Sequence, residues 1–152
     1  MLIRPIEQDD IASAAALLRE LALEFIVCGT SQESASDFLR ENDEEGVRGY
    51  IERGWVYHVA LIDGELAGFV GMRERSHLFH LFVGKRWQRR GVARRLWDVA
   101  RQASLASGHT GGFTVNASLY ALPVYKALGF VPTAPEQCVR GIRFIPMALA
   151  AA

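Results

Sequence analysis

The sequence predicts a single α/β domain built on a mixed sheet with one parallel seam, and three observations carry that reading. Residues 55–72 form two strand-like runs joined by Asp63-Gly64. This is a strong hairpin signal, because a type I′ turn needs positive φ at both central positions. A long helical pattern separates the apolar runs His77–Val83 and Phe113–Asn116, and a crossover of that length makes two strands parallel neighbours. Finally, the chain has 152 residues, 50% of them hydrophobic and 22% charged. That suits one globular domain over residues 1–152 with a substantial core.

Taken in order, Leu2–Pro5 reads as a first strand. Asp9 or Asp10 can cap a helix whose apolar residues recur at helical spacing (Ile11, Leu17, Leu18, Leu21, Ala22, Phe25) and which stops near Gly29. Ser34–Glu52 is a second helical region with Phe38, Leu39, Val47, Tyr50 and Ile51 as its buried stripe; Gly46 and Gly49 predict a break inside it. Trp55–Ile62 and Glu65–Met72 make the hairpin, and His77–Val83 adds a strand. A helix follows from about Arg90 to Ala106, with Val92, Leu96, Val99, Ala100 and Ala103 on one face and Gly108 ending it. Phe113–Asn116 is a short strand, Tyr120–Leu128 a helix stopped by Gly129, and the tail Gln137–Ala148 adds closing strands.

Composition excludes several function classes. The formal net charge is zero, so no whole-molecule field favours nucleic acid or an anionic membrane. Charge is nevertheless clustered. Lys85, Arg86, Arg89, Arg90, Arg94 and Arg95 fall within eleven residues, a pattern suited to a discrete anionic ligand. Only Trp87 stands among them, too little aromatic interleaving for nucleic-acid binding. Glu41, Asp43, Glu44 and Glu45 form an acidic run that reads first as a solvated helix face, with attraction of a cationic amine as the alternative. Cys28 and Cys138 stand apart, without CxxC or Cys/His spacing, so no metal site is expected. Two isolated thiols suggest a reducing compartment and buried, inert side chains, although one disulfide between them stays open. The N-terminal residues lack a signal peptide's apolar core, and no apolar run approaches bilayer length. A cytoplasmic protein is expected.

The informative segment is Leu81-Phe82-Val83-Gly84-Lys85-Arg86-Trp87-Gln88-Arg89-Arg90-Gly91-Val92-Ala93, where a strand runs through a turn into a helix. The first amides of such a helix have no internal partner, and its dipole adds partial positive charge, so phosphate groups bind there. Gly91 lets backbone approach the ligand, Ala93 keeps the first turn open, and guanidiniums add charge-assisted contacts. There is no GxxxxGK[ST] and no early GxGxxG, so neither a P-loop nor a dinucleotide fold is indicated.

Gln88-x-x-Gly91-x-Ala93, after an apolar strand ending Leu81-Phe82-Val83, resembles the Q/R-x-x-G-x-G/A signature of the GNAT superfamily of N-acyltransferases. Asn116-Ala117-Ser118 followed by Tyr125-Lys126-Ala127-Leu128-Gly129-Phe130 resembles that family's second motif. The resemblance implies a mostly antiparallel twisted sheet with one splayed parallel seam and helices on both faces. It implies acetyl-CoA as the acyl donor, with no metal, and a primary amine of a small molecule or peptide as the acceptor. Leu81, Phe82 and Val83 would meet the pantetheine arm through their backbone, and Gln88, Arg89, Arg90, Gly91, Val92, Ala93 and Arg94 would cradle the pyrophosphate. Asn116 or Ser118 would bond the pantetheine; many members carry Asn where this chain has Ser118.

Tyr125 would be the general acid that protonates the CoA thiolate, a role for a phenol of pKa about 10. His77 stands where some members carry a basic Glu, with His80 as a rival; histidine titrates in the useful range. Tyr120 lies off the motif, as core or pocket wall. The acceptor is not named by any motif, and the resemblance leaves room for a homodimer through the terminal strands. The alternative is a catalytically inactive acyl-CoA-binding sensor or interaction module.

Overall fold

A computed structural model describes residues 1–151. In chain order the elements are β1 (Leu2–Pro5), α1 (Ile11–Phe25), α2 (Gln32–Glu41), α3 (Glu44–Glu52), β2 (Val56–Ile62), β3 (Glu65–Arg73), β4 (His77–Val83), α4 (Val92–Ala106), β5 (Phe113–Ser118), α5 (Leu122–Ala127), β6 (Val131–Pro132), β7 (Gln137–Val139) and β8 (Ile142–Leu149). Single 3-10 turns, Gln8–Asp10 and Lys85–Trp87, precede α1 and α4. The strands form one sheet in the order β1-β2-β3-β4-β5-β8-β6, with β7 also pairing β8. Every pairing is antiparallel except β4 with β5. No helix among the described residues is long and apolar enough to cross a membrane.

Both faces of the sheet are covered. Adjacent residues of a strand point to opposite faces, and the two cores divide accordingly. Val59 and Phe69 pack with Ala14, Leu18 and Ala22 of α1. Their neighbours Ala60 and Val70 pack with Val92, Leu96, Trp97 and Ala100 of α4. Burial on both sides explains why β2 and β3 read as continuous apolar runs. Between them Asp63 (φ 52°) and Gly64 (φ 78°) both take positive φ, as the hairpin signal requires.

Two irregularities in β4 shape the seam. Gly71 faces His80 while Met72 faces Leu78, so Phe79 is the extra residue of a bulge. On the other edge, β4 pairs with β5 only at His77↔Thr114 and Leu78↔Val115. Beyond that point the two strands diverge. The splayed parallel seam is therefore real, and it opens toward the C-terminal ends of both strands.

Several boundaries differ from the sequence expectation. The second helical region breaks at Asn42-Asp43, where Asp43 caps α3 by accepting from the Gly46 N–H at 2.8 Å. Gly46 serves packing instead: a Cβ there would collide with the Glu41 carbonyl oxygen. Neither Asp9 nor Asp10 caps α1 through its side chain; Asp10 instead accepts from Arg4 (2.6 and 3.1 Å) and from the Glu7 N–H (2.7 Å). The helix after the basic turn starts at Val92 rather than Arg90, and the last helix covers only Leu122–Ala127. β5 continues to Ser118. Cys28 and Cys138 are both free and exposed rather than buried.

Replacing Gly46 by Ala should force the elbow between α2 and α3 apart and destabilise the fold by about 1–3 kcal/mol. Urea unfolding checks this; an unchanged midpoint would contradict the close approach.

Candidate active site

The site begins with backbone. The Gly84 N–H donates to the Ala67 carbonyl of β3 at 2.8 Å. Along a strand, successive residues turn their polar groups to alternate edges. Phe82 therefore faces β3 with Gly84, while Leu81 and Val83 face the splayed gap. The Val83 carbonyl agrees, since it accepts from Gln88 Nε2 at 2.9 Å. Pairing with β5 has already ended at Leu78, so the Leu81 and Val83 amides point into the opening without a strand partner.

The turn supplies more donors. Arg89 (φ 63°) and Gly91 (φ 81°) both take left-handed conformations, and Gly91 is the N-cap of α4. No atom beyond its chain neighbours lies within 4 Å of where a Gly91 Cβ would be, so what the fold itself demands of Gly91 is its positive φ. The first bond of α4 runs from the Arg95 N–H to the Gly91 carbonyl at 3.1 Å. The amides of Val92, Ala93 and Arg94 thus lack helical acceptors, and glycine offers no side chain to cap them. Their positive end of the dipole is open to an anion.

A cavity of about 750 Å³ runs through the splayed seam. His77, Leu81, Phe82, Val83, Gln88, Arg89, Gly91, Val92, Ala93, Arg94, Asn116, Ser118 and Tyr125 all line it; Arg90 does not. The Tyr125 ring is buried and roughly perpendicular to that of Phe130. Desolvation pushes its hydroxyl pKa well up, so the phenol stays protonated at physiological pH and is available as a donor. Ser118 Oγ accepts from the Ala121 N–H at 3.2 Å, closing the turn into α5. Asn116 is exposed to the cavity on the same strand.

The basic cluster separates into distinct roles. Lys85 pairs with Glu24 at 2.9 Å and Arg86 with Glu65 at 3.3 Å. Arg86 and Arg90 lie over the Trp87 ring, 4.4 and 5.6 Å from its centroid. Arg89 and Arg94 face the cavity, and Arg94 also donates to the Ala127 carbonyl at 2.9 Å, at the end of α5.

The two candidate histidines differ. Asn42 Nδ2 donates to the Phe38 carbonyl at 2.9 Å, which turns Oδ1 toward His80 Nε2, also at 2.9 Å. His80 Nε2 must therefore carry the proton, and Nδ1 accepts from the Tyr57 hydroxyl at 2.9 Å. Both ring nitrogens are occupied, and burial pushes the pKa down to about 3. His80 is a structural link between β4 and the elbow of α2 and α3. His77 bonds Thr114 Oγ1 through Nδ1 at 2.8 Å, across the seam. Burial, helped by the charge of Arg73, lowers its pKa to about 4.

Tyr120, expected as core or pocket wall, lines the cavity. Gln88 Oε1 accepts from the Tyr120 hydroxyl at 2.8 Å, and the Tyr120 ring stacks on Phe25 at 3.8 Å. Gln88 is thus a brace between the turn, β4 and the loop before α5. Sequence reasoning missed Asn42, Arg73, Phe79 and Phe144, which also line the cavity, as does Phe38 of the expected buried stripe. The Asn42-Asp43 pair was a readable helix-break signal; no local pattern marks the others.

The family model for the acetyltransferase (GNAT) domain matches residues 27–151. No curated protein matches the chain. Among solved structures, a GCN5-related N-acetyltransferase from Rhodopseudomonas palustris superposes with TM-score 0.80 at 21% identity, over 98% of this chain and 94% of the other. The PaiA N-acetyltransferase from Thermoplasma acidophilum, in complex with coenzyme A, gives 0.78 at 17% identity, over 98% of both chains. YncA of Salmonella typhimurium, with its cofactor acetyl-CoA, gives 0.72 at 17%, over 99% and 93%.

The histidines make stability depend on pH. An unfolded histidine takes up its proton near pH 6.5, whereas folded His77 and His80 resist protonation down to about 4 and 3. In that window the unfolded chain binds more protons, so stability is fully present above about 6.5 and declines as pH falls. Urea midpoints between about pH 7 and 4 should show this decline, with a shallower slope for His80→Gln. An identical slope in the variant would remove His80 from the account.

Proposed function

We propose that this chain, which belongs to the GNAT acetyltransferase family, transfers the acetyl group of acetyl-CoA to a primary amine by direct attack in a ternary complex. The observation that carries this reading is the meeting, in one cavity, of unpaired β4 amides, the uncapped start of α4 and the protonated Tyr125 hydroxyl.

The donor set suits the ligand from end to end. The amides of Val92, Ala93 and Arg94, with the Arg89 and Arg94 guanidiniums, would hold the pyrophosphate. Gln88 and Gly91 shape that turn, and Arg90, stacked on Trp87, would add only its field. The backbone of Leu81, Phe82 and Val83 would bond the pantetheine along the edge that β5 leaves free, with Asn116 or Ser118 acting from the opposite wall. The thioester supplies an activated acyl group.

For transfer, the amine must arrive neutral, so that its lone pair can form the N–C bond. A β4 amide in the gap stabilises the negative charge that develops on the thioester oxygen. As the C–S bond breaks, Tyr125 donates its proton to the leaving sulfur and regains one from solvent. The attacking nitrogen loses a proton in the same process. His77, neutral at pH 7, can receive that proton, but its low pKa suits it to pass the proton on to water rather than keep it. Direct transfer is favoured over an acyl-enzyme because neither exposed cysteine lines the cavity. Free thiols also suit a cytoplasmic setting.

Tyr125→Phe keeps the ring and removes the donor. It should lower kcat by roughly a hundredfold while leaving the dissociation constant for acetyl-CoA within about twofold by calorimetry. Full activity in the variant would remove Tyr125 as the acid. Tight acetyl-CoA binding by the wild type, with no transfer to any amine, would favour a non-catalytic module.

A further inference from the structure

The half of the cavity remote from the start of α4 is where the acceptor must enter, and its walls carry a readable chemistry. Phe38, Phe79, Ile142 and Phe144 give it a largely aromatic and aliphatic surface. Five charged side chains also reach it: Asp37, Glu41, Arg73, Arg140 and Arg143. Four of them already have opposite charges beside them. Asp37 pairs with Arg40 at 2.7 Å, Glu41 with Arg140, and Arg143 with Glu136 at 2.7 Å. Of the rest of the acidic run, Asp43 caps α3, Glu44 lies 3.3 Å from Arg48, and Glu45 does not line the cavity. The acidic run therefore offers a cationic acceptor no unpaired carboxylate on this wall.

Arg73 is the exception. It is half-buried, and its side chain makes no ion pair and no hydrogen bond among the described residues. The Trp55 ring lies 6.0 Å from its guanidinium carbon. In the sheet its Cα faces His77, which lines the same cavity two residues before the bulge at Phe79. The lowered pKa of His77 is partly due to this charge, so the guanidinium field reaches the wall where the amine must stand. A half-buried guanidinium facing a cavity without a counter-charge is matched by an anion, and its planar fork fits a carboxylate through two parallel hydrogen bonds.

We propose that Arg73 binds a carboxylate on the acceptor, which makes the acceptor a free α-amino acid with an apolar or aromatic side chain rather than a simple amine. This rests on the acetyl-transfer reading of the site. The carboxylate pairs with Arg73, the side chain lies against Phe38, Phe79 and Phe144, and the amine is left to face β4. A peptide N-terminus, which lacks the α-carboxylate, is a poorer fit.

Matched pairs that differ only by the carboxylate test this directly: tryptophan with tryptamine, and phenylalanine with phenethylamine. Each is assayed with acetyl-CoA against wild type, Arg73→Gln and Arg73→Lys, with acetyl-CoA affinity measured by calorimetry as a control on folding. The amino acid should be preferred in kcat/KM by roughly tenfold to a hundredfold. Arg73→Gln should collapse that ratio, mainly through a higher KM for the amino acid, and Arg73→Lys should restore part of it. A wild type that prefers the decarboxylated amines, or a preference that survives in Arg73→Gln, would overturn the assignment while leaving acetyl transfer intact. Retained acetyl-CoA binding with no turnover of either member of any pair would overturn the assignment, and the acetyl-transfer reading as well if no other primary amine is acetylated.

Discussion

Strand β4 is bonded to β3 along its length but to β5 at only two residue pairs, and the site depends on how the protein handles the edge left open. Buried backbone donors and acceptors must find partners, so a strand that parts from its neighbour creates a demand for hydrogen bonds inside the domain. The chain meets part of that demand itself, where the Gln88 side chain donates to the Val83 carbonyl. The rest is open toward a cavity that begins at the start of α4 and ends among the aromatic side chains of α2 and β8. An extended ligand with amide groups in its middle and phosphates at one end answers both the strand and the helix.

Keeping two parallel strands apart requires support on each side of the seam. The sheet is held by α1 on one face and α4 on the other, so neither strand can tilt without disturbing a packed core. Gln88 and Tyr120 brace the open end, and the stack of Tyr120 on Phe25 ties that brace to α1. At the closed end, His77 bonds Thr114 across the seam. His80 then links β4, through Asn42, to the Phe38 carbonyl of α2. The far wall of the cavity is thereby fixed to the same strand that carries the unpaired amides, an arrangement that would suit a reaction whose rate depends on holding two substrates in register.

Much of this architecture was legible in the sequence because it is local. Asp63-Gly64 demands its turn, and the spacing of Gln88, Gly91 and Ala93 marks the passage from strand to helix. Tyr125 falls on the cavity because α5 follows β5 after a short turn. What was not legible depends on contacts between distant residues. Arg89 and Arg90 are chemically identical and adjacent, yet in the folded turn one faces the cavity and the other lies over the Trp87 ring. His77 and His80 lie on one strand and both line the cavity, yet Asn42, 38 positions away from His80, makes that one structural. Gly46 read as a helix breaker; its actual constraint is the neighbouring Glu41 carbonyl. The bulge at Phe79 and the unpaired state of Arg73 arise from register and packing, for which the sequence holds no local signal.

On the proposed reading, acetyl-CoA would complete the β4 edge and the start of α4. Residue-resolved amide hydrogen exchange, with and without acetyl-CoA, tests it most directly. The amides of Leu81, Val83, Val92, Ala93 and Arg94 should become protected on binding, while Phe82, whose N–H is directed to β3, should change little. Binding that leaves Leu81 and Val83 exchanging as in the free protein, with protection elsewhere, would contradict the account.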